Sequence, residues 1–392
     1  MVKKILKTYY LITFAFSLAM SFFFATYVLF LTDAGLNFFQ VNLINAAFML
    51  AGFFLEIPTG ALADSYGRKF SFVCSCFILS ISMIVYFFST SFWWFILAEI
   101  ICALAMAFYS GAFEAWLVDS IRFYDQKYDM IKVFKSSAQI DKLGLVIGSV
   151  AGAYAGKIDL ALPWLLSGIG MLIVGIISQI IMKEEYFIRQ PNGQNGFNGI
   201  KKIASESIKF GLKSKPIFWI ILAGAILGFA FQPLNMYWQI RFSQQLGVAT
   251  EYLGWLFAGA VIAMFIGAEL SKKFLEKLSE EKQAIMLSIL LISLGIIAAA
   301  ISNILWLALV GYYLHELARG SLKPLSKKYI NDHALPEKRA TIISFESMIV
   351  RGGCFVGLLV SGKIADMISI EASWLFAGLF LIFGVIVLKV IK

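Results

Sequence analysis

Long apolar runs follow one another along almost the whole chain and limit its fold more than any other feature. Each has about the 20 residues that a helix needs to cross a bilayer. Of the 392 residues, 60% are hydrophobic and 15% are charged, whereas about a quarter of the residues in a soluble domain are charged. We therefore predict an all-α integral membrane protein with twelve transmembrane helices. The runs lie at 8–31, 37–58, 70–89, 92–118, 133–156, 160–183, 216–240, 249–270, 283–302, 304–326, 340–362 and 370–390.

The longest polar interruption falls in the middle of the chain, at about 184–215, and contains PNGQNGFNG with Lys and Glu around it. It divides the apolar runs into two sets of six. The sequence thus predicts an N-terminal six-helix bundle at 1–183, a cytoplasmic linker at 184–215 and a C-terminal six-helix bundle at 216–392.

The basic residues alternate with the apolar runs in a way that indicates topology. If the N-terminus is cytoplasmic, twenty-eight of the 33 Lys and Arg residues fall in cytoplasmic segments, whereas only Lys157, Arg241 and Lys363 fall in outer loops. Lys and Arg are enriched in cytoplasmic loops of membrane proteins. We expect a multi-pass protein of the cell membrane with both termini in the cytoplasm. The net charge of +9 then describes orientation and requires no nucleic-acid partner.

The two predicted bundles resemble each other locally. The stretch Ala155-Gly156-Lys157-Ile158 followed by Trp164 resembles Ser361-Gly362-Lys363-Ile364 followed by Trp374. Both stretches join the fifth and sixth runs of their bundle. Internal repeats are common in transporters, where the substrate site lies at the repeat interface near the bilayer midplane.

The segment between the second and third runs reads GALADSYGRK, with Gly60, Asp64, Gly67, Arg68 and Lys69. The two glycines permit a tight turn at the membrane face. This segment resembles the signature loop of the major facilitator superfamily, G-x-L-A-D-x-x-G-R-R/K, and it stands where that family has it. The resemblance extends to the whole chain, because the number of spans and the central linker also agree.

The resemblance implies a gate role for this loop in an alternating-access transporter. In the family, the loop aspartate lies against the start of helix 11 and the basic pair engages acids at the end of helix 4. Asp119 is therefore the candidate partner of Arg68. The corresponding segment of the second half, Gly267-Ala-Glu-Leu-Ser-Lys-Lys, has Ser271 in place of the aspartate, and no gate role is expected for it.

A glycine stripe follows the fifth run, at Gly144, Gly148, Gly152 and Gly156. Glycines four residues apart share one helix face and allow another helix to approach closely. The spacing also resembles a helix-5 pattern of exporters in the same superfamily, although Ala153 and Lys157 replace its closing proline and glycine. Generic close packing and an export signature both remain open at this point.

Ionisable residues within apolar runs are expensive in a bilayer and mark ion pathways or interhelical pairs. We rank Asp141 first, Glu114 second and Glu316 third as proton carriers, because a buried carboxyl changes its proton affinity when a cationic partner moves. The opposing interpretation is that these groups only lock helices together, as Glu316 can with Arg319 three residues later. The candidate proton-coupling residues are Asp141, Glu114, Glu316, Lys142, Arg351, Glu346 and His315.

Aromatic and polar side chains alternate on the seventh run and suit an amphipathic organic solute. The candidate substrate-cavity residues are Phe231, Gln232, Asn235 and Trp238 on this run, together with Trp116 on the fourth run. For Trp238 an ordinary place in the interfacial aromatic belt is a competing explanation.

Several functions compete with transport. The chain has only two histidines and no H-E-x-x-H, Walker or nucleophile-elbow pattern, so we expect no enzyme, no metal site and no cofactor. A channel would not need Asp64, and a membrane sensor would bind solute without flux. We predict a monomeric secondary transporter whose partners are protons, a small-molecule substrate and the lipid bilayer. Proton-coupled export of an amphipathic solute or drug leads, and proton-coupled uptake of a metabolite is the alternative.

Overall fold

The computed structural model describes residues 1–187, 214–278, 280–334 and 339–390, and these residues contain helices and no strand. The helices are α1 Val2–Ser21, α2 Tyr27–Asp33, α3 Phe38–Tyr66, α4 Arg68–Phe88, α5 Phe92–Tyr109, α6 Ala112–Tyr124, α7 Met130–Ile158, α8 Leu162–Ile181, α9 Lys215–Ile240, α10 Thr250–Leu278, α11 Glu281–Ile301, α12 Leu305–His333, α13 Arg339–Met367 and α14 Ile370–Val390. A π-helix, Arg241–Gln245, continues α9.

Within the described ranges, nine helical segments are long and apolar enough to cross a membrane. The prediction of an all-helical, multi-pass protein is thus confirmed, while the count of twelve spans and the orientation of the termini stay predictions. Most of the predicted linker, residues 188–213, lies outside the described residues.

Two of the predicted continuous spans are interrupted. The first apolar run contains α1 and α2, which the turn at 22–26 separates, and the fourth run contains α5 and α6. At the second break, Gly111 adopts a left-handed φ of 70°, which a glycine tolerates without steric cost. The expectation of one unbroken helix at each place is therefore wrong, and Glu114 lies in the first turn of a new helix.

The described residues form two compact units. Unit 1 contains residues 1–36, 44–187 and 248–258, and unit 2 contains 37–43, 214–247 and the described part of 259–390. The first residues of α3 therefore count with unit 2, where Asp366 accepts hydrogen bonds from the backbone N–H groups of Phe38 and Phe39, both at 2.9 Å. Asn42 adds a bond of 2.8 Å to the Tyr237 hydroxyl.

In unit 1, the glycine stripe of α7 packs against the backbone of α1. A Cβ atom added at Gly148 would collide with the Leu18 carbonyl, and one at Gly152 would collide with the Phe22 carbonyl. The predicted close approach of two helices along this stripe is confirmed. The structure supports the packing explanation of the stripe.

Unit 2 repeats this packing with different residues. Cβ atoms added at Gly353 and Gly357 of α13 would collide with the Ala225 and Phe229 carbonyls of α9. The α13–α9 contact is therefore as close as the α7–α1 contact of unit 1.

A hydroxyl bond repeats as well. The Ser80 hydroxyl donates to the Gly168 carbonyl in unit 1, and the Ser293 hydroxyl donates to the Gly378 carbonyl in unit 2, both at 2.8 Å. The local sequence similarity thus reflects a repeated arrangement of helices inside each unit.

Arg241, which the charge pattern places in an outer loop, is 2% exposed. Its guanidinium lies 2.8 Å from the Glu371 carboxylate and donates to the Ser302 carbonyl at 2.7 Å. A buried arginine needs such partners to offset the loss of hydration. It therefore joins the ends of α9, α11 and the start of α14.

Gly353→Ala should destabilise the protein, because its new methyl group meets the Ala225 carbonyl in a packed interface. Overpacking of this kind costs about 1–3 kcal/mol. Gly352→Ala on the preceding residue is the matched control, since nothing lies within 4 Å of its added Cβ. Thermal unfolding of the purified protein should show a lower Tm for the first variant only. Equal Tm values would contradict the close approach of α13 to α9.

Candidate functional site

An ionisable cluster lies on α12 inside unit 2. The His315 and Glu316 side chains are 0% and 6% exposed. The Oε1 atom of Glu316 lies 3.4 Å from His315 Nδ1 and 3.6 Å from Arg319 Nη1. The other carboxylate oxygen, Oε2, has no hydrogen-bond partner among the described residues. The predicted Glu316–Arg319 pair is present, and the Oε2 atom of the carboxylate remains available to bind a proton or to accept a hydrogen bond.

The Arg319 guanidinium connects this cluster to α9. Its Nη1 atom donates to Asn235 Oδ1 at 2.7 Å, and its Cζ atom lies 4.8 Å from the centre of the Phe231 ring. The same ring meets His315 edge-on, with centroids 5.8 Å apart. The structure thus brings two predicted substrate residues, Phe231 and Asn235, to two predicted proton-coupling residues, His315 and Glu316.

Aromatic side chains continue from this cluster along α9. Trp238 is stacked on Tyr312, with ring centroids 5.9 Å apart, and both side chains are buried. Gln232 is also buried, but its amide donates to the Gly228 carbonyl of its own helix at 3.0 Å. The amide group of Gln232 is thus engaged within α9, unlike that of Asn235. We define Phe231, Asn235, His315, Glu316 and Arg319 as the α9–α12 cluster.

Asp141 on α7, the first-ranked proton carrier, belongs to unit 1. Its carboxylate accepts a hydrogen bond from the Ser17 hydroxyl of α1 and lies 3.5 Å from Lys142 Nζ. The Asp141 and Lys142 side chains are 38% and 47% exposed. Glu114, at the start of α6, is also exposed. Asp141 thus has a cationic neighbour, as proton coupling requires, but its side chain is far less buried than that of Glu316.

The remaining predicted coupling residues lie on α13. Glu346 is half-buried, and its carboxylate faces Gly224 of α9. Arg351 is exposed. Their predicted part in proton coupling stays a prediction.

The signature segment is helical almost throughout, since α3 continues to Tyr66 and α4 begins at Arg68. Gly60 therefore lies inside a helix, and the expectation that it forms the turn is wrong. Gly67 alone makes the turn, with a φ of 99°. The side chain of Asp64 lies outside the described residues, so its predicted role stays a prediction.

Glu184, which follows α8, caps the start of α4. Its two carboxylate oxygens accept hydrogen bonds from the backbone N–H groups of Arg68 at 2.7 Å and Lys69 at 3.2 Å. The Lys69 ammonium donates to the Gln179 carbonyl at 2.7 Å. A carboxylate at a helix N-terminus satisfies free N–H groups and is favoured by the helix dipole. Glu184 thus ties the turn at Gly67 to the end of α8.

Tyr186 lies beside this cap and donates to Glu184 at 3.0 Å. Burial raises the pKa of the Tyr186 phenol, the negative charges of Glu184 and Asp119 raise it further, and the Arg68 charge opposes them. Asp119 and Arg68 therefore both act on Tyr186, while a direct pair between them stays a prediction.

Trp116 lies at the same end of unit 1. It is 1% exposed, and its indole N–H donates to the Lys183 carbonyl at 2.9 Å. It lines a small cavity together with Lys4, Ser120 and Tyr124. Of the predicted substrate residues, Trp116 belongs to unit 1 and the other four belong to unit 2.

Sequence reasoning missed Glu184 because its partners lie more than a hundred residues away and it opens a segment that was assigned to the linker. An acid directly after an apolar run, at the predicted face of the glycine turn, was the available signal.

Across the described ranges, no group of three or more His, Cys, Asp or Glu side chains is arranged to hold a metal ion.

Comparison with known proteins identifies the family of this chain. The model of the Major Facilitator Superfamily matches residues 9–239 and 220–392, and the chain belongs to this superfamily of transporters. It is therefore a multi-pass membrane protein and not an enzyme.

Two relatives and one solved structure illustrate the similarity. The chain is 25% identical over 376 residues to the uncharacterized MFS-type transporter YxaM of Bacillus subtilis (strain 168), covering 95% of this chain and 92% of that one. It is 24% identical over 301 residues to the tetracycline resistance protein, class H, of Pasteurella multocida, covering 74% and 71%. The fold matches the crystal structure of a mutant of the nucleoside transporter NupG with a TM-score of 0.84, at 14% identity and 99% coverage of both chains.

Glu184→Ala should loosen the first turn of α4, because the Arg68 and Lys69 N–H groups lose their acceptor. Loss of a helix cap costs about 0.5–2 kcal/mol. Hydrogen–deuterium exchange should therefore accelerate in the peptide that contains these two residues.

Glu185→Ala is the matched control for this experiment, since Glu185 contacts the Tyr124 hydroxyl instead. Exchange at the start of α4 should stay at the wild-type rate in that variant. If both variants accelerate exchange equally, the effect comes from the net charge and the capping role is wrong.

Proposed function

We propose that this chain exports a small amphipathic organic solute from the cell in exchange for protons, by alternating access in the plasma membrane. It works as a monomer with both termini in the cytoplasm and needs no cofactor. The α9–α12 cluster carries the proposal, because it combines a buried carboxyl group, a cationic partner and aromatic surface within one unit.

The charge arrangement supports proton coupling through Glu316. With an ionised carboxylate, Glu316 and Arg319 attract each other at 3.6 Å, and the pair is close to neutral overall. A proton on Glu316 removes this attraction and leaves the guanidinium with Asn235 and the Phe231 ring as its partners. Binding of a proton on α12 thus changes the charge that α9 meets, which is what a coupling step requires.

The same residues support an amphipathic solute. Phe231, Trp238 and Tyr312 offer aromatic faces, and Asn235 and Glu316 offer polar groups with defined positions. Sites that combine apolar walls with few polar groups suit drug-sized organic molecules. The name of the tetracycline resistance relative supports export in particular. Proton-coupled uptake is the alternative, and the two predict opposite responses to a pH gradient.

Transport in proteoliposomes with an imposed pH gradient tests the proposal. An exchanger accumulates its solute on the acidic side of the membrane, and a symporter accumulates it on the alkaline side, whichever way the protein is inserted. Tetracycline is the first probe, followed by a panel of amphipathic amines and nucleosides. Accumulation on the alkaline side would replace export with uptake, and no flux of any probe with retained binding would favour a sensor.

Glu316→Gln should reduce gradient-driven accumulation to background while solute exchange without a gradient continues. The amide keeps the shape of the side chain but cannot exchange a proton at neutral pH. Glu281→Gln is the matched control, because Glu281 lies outside the α9–α12 cluster and its carboxylate pairs with the Lys328 ammonium at 2.5 Å. This variant should transport as the wild type does. Full accumulation in Glu316→Gln would contradict its coupling role.

Asp141→Asn in the same assay separates the two leading carboxyl groups. If Asp141 is the carrier, this variant loses accumulation and Glu316→Gln keeps it. Because Glu316 is the more deeply buried and has two ionisable neighbours, we expect the larger loss for Glu316→Gln.

A further inference from the structure

A second buried carboxyl group lies in unit 1 and has no part in the proposed coupling step. Glu99 on α5 is 8% exposed. Its Oε2 atom accepts a hydrogen bond of 2.6 Å from the Tyr86 hydroxyl of α4. This hydroxyl is its hydrogen-bonding partner among the residues that the structure describes.

Among the residues that the structure describes, the ionisable groups that face Glu99 are all neutral in their protonated form. Tyr86 faces it from α4, Tyr27 from α2 and Cys102 from its own helix. Tyr27 also bonds to Tyr86 and accepts a hydrogen bond of 2.7 Å from Asn45 of α3. In the described part of the chain, no lysine, arginine or histidine acts on the carboxyl. Glu99 thus differs from Glu316, which has a guanidinium within 4 Å.

Aromatic rings close this site against water. The Trp164 ring is stacked on Tyr86, with centroids 4.0 Å apart and an interplanar angle of 12°. The Phe95 ring centroid lies 5.8 Å from that of Tyr86, and Phe95 is 0% exposed. The Glu99 carboxyl is therefore held in a low-dielectric environment with one neutral donor.

An ionised carboxylate in this environment would be a buried charge without a counter-ion. Such a charge costs several kcal/mol even after relaxation, and a buried group of this kind takes up a proton instead. We propose that Glu99 is a proton-binding site of unit 1, separate from the α9–α12 cluster, and that its carboxyl group carries a proton in this structure. The proposal does not depend on the direction or substrate of transport.

The neighbouring backbone provides a place where loss of this proton has a structural consequence. In unit 2, the Trp374 indole N–H donates to the Pro233 carbonyl of the continuous helix α9 at 3.0 Å. In unit 1, the corresponding stretch is the turn at 22–26, and the Trp164 indole N–H has no acceptor among the described residues. Release of the proton leaves a charge that faces Tyr27, the first residue after this turn, so the deprotonated site must admit water or a cation.

Carbodiimide labelling of the wild-type protein tests the site without a transport assay. Dicyclohexylcarbodiimide is apolar and reacts with protonated carboxyl groups, and mass spectrometry of peptides locates the adduct. At pH 7 Glu99 should be labelled. The exposed Asp125 should stay unlabelled, because the apolar reagent concentrates in the bilayer and away from hydrated surface carboxyl groups.

Variants and infrared spectra make the outcome decisive. Glu99→Gln should lose this label and one carbonyl band of a protonated carboxylic acid in the infrared spectrum at pH 7. Tyr86→Phe should retain both, because it keeps the carboxyl and the aromatic enclosure. If wild type shows neither the label at Glu99 nor a band that Glu99→Gln removes, Glu99 is ionised and the proposal is wrong. The label and the band are read without a transport assay. If Glu316→Gln loses transport but keeps both signals, the proton site at Glu99 is supported independently of the proposed coupling step.

Discussion

The bilayer offers no water to the polar groups of this chain, and that constraint governs the rest of the structure. Polar groups in the hydrocarbon region must be satisfied inside the protein. The chain meets this requirement with serine hydroxyls that donate to backbone carbonyls, as Ser80 and Ser293 do. Where it places ionisable groups, the choice of partner determines what they can do. Glu316 has a guanidinium beside it, whereas Glu99 has a phenol.

The difference between these two carboxyl groups separates two kinds of electrostatic behaviour. A carboxylate beside a guanidinium keeps its charge, and its proton affinity depends on the position of the cation. A carboxyl beside a phenol has no such compensation and responds to hydration instead. Under the two proposals, the site in unit 2 responds to the position of a guanidinium, and the site in unit 1 responds to the entry of water. Both depend on helices that approach closely, because wider spacing would admit solvent.

Much of the fold could be predicted from local patterns. The lengths of the apolar runs indicated membrane helices, and the four-residue spacing from Gly144 to Gly156 predicted the close contact that the structure shows between α7 and α1. The breaks at 22–26 and at Gly111 were not predicted, because both lie within continuous apolar sequence where hydropathy gives no signal. Gly111 was visible, but a glycine inside an apolar run is as typical of helix packing as of a break.

The candidate site was less accessible to sequence reasoning, for a physical reason. The i, i+3 spacing revealed the Glu316–Arg319 pair, since both residues share one helix face. The Tyr86–Glu99 bond and the capping of α4 by Glu184 join different helices, so no spacing along the chain encodes them. The sequence ranks Asp141 first as the proton carrier, yet the structure buries the Glu316 side chain far more deeply than that of Asp141. Burial depends on neighbouring helices, which no spacing along the chain specifies.

The paired hydroxyl bonds, Ser80 to Gly168 and Ser293 to Gly378, also bear on how such a protein can evolve. Each joins the equivalent two helices of its unit at the same distance, while the buried carboxyl groups have different partners, a phenol beside Glu99 and a guanidinium beside Glu316. A duplicated and fused ancestral gene would supply two such scaffolds in one polypeptide. Because each copy keeps its own helix contacts, an ionisable residue acquired in one does not have to be matched in the other, and the two halves can specialise independently.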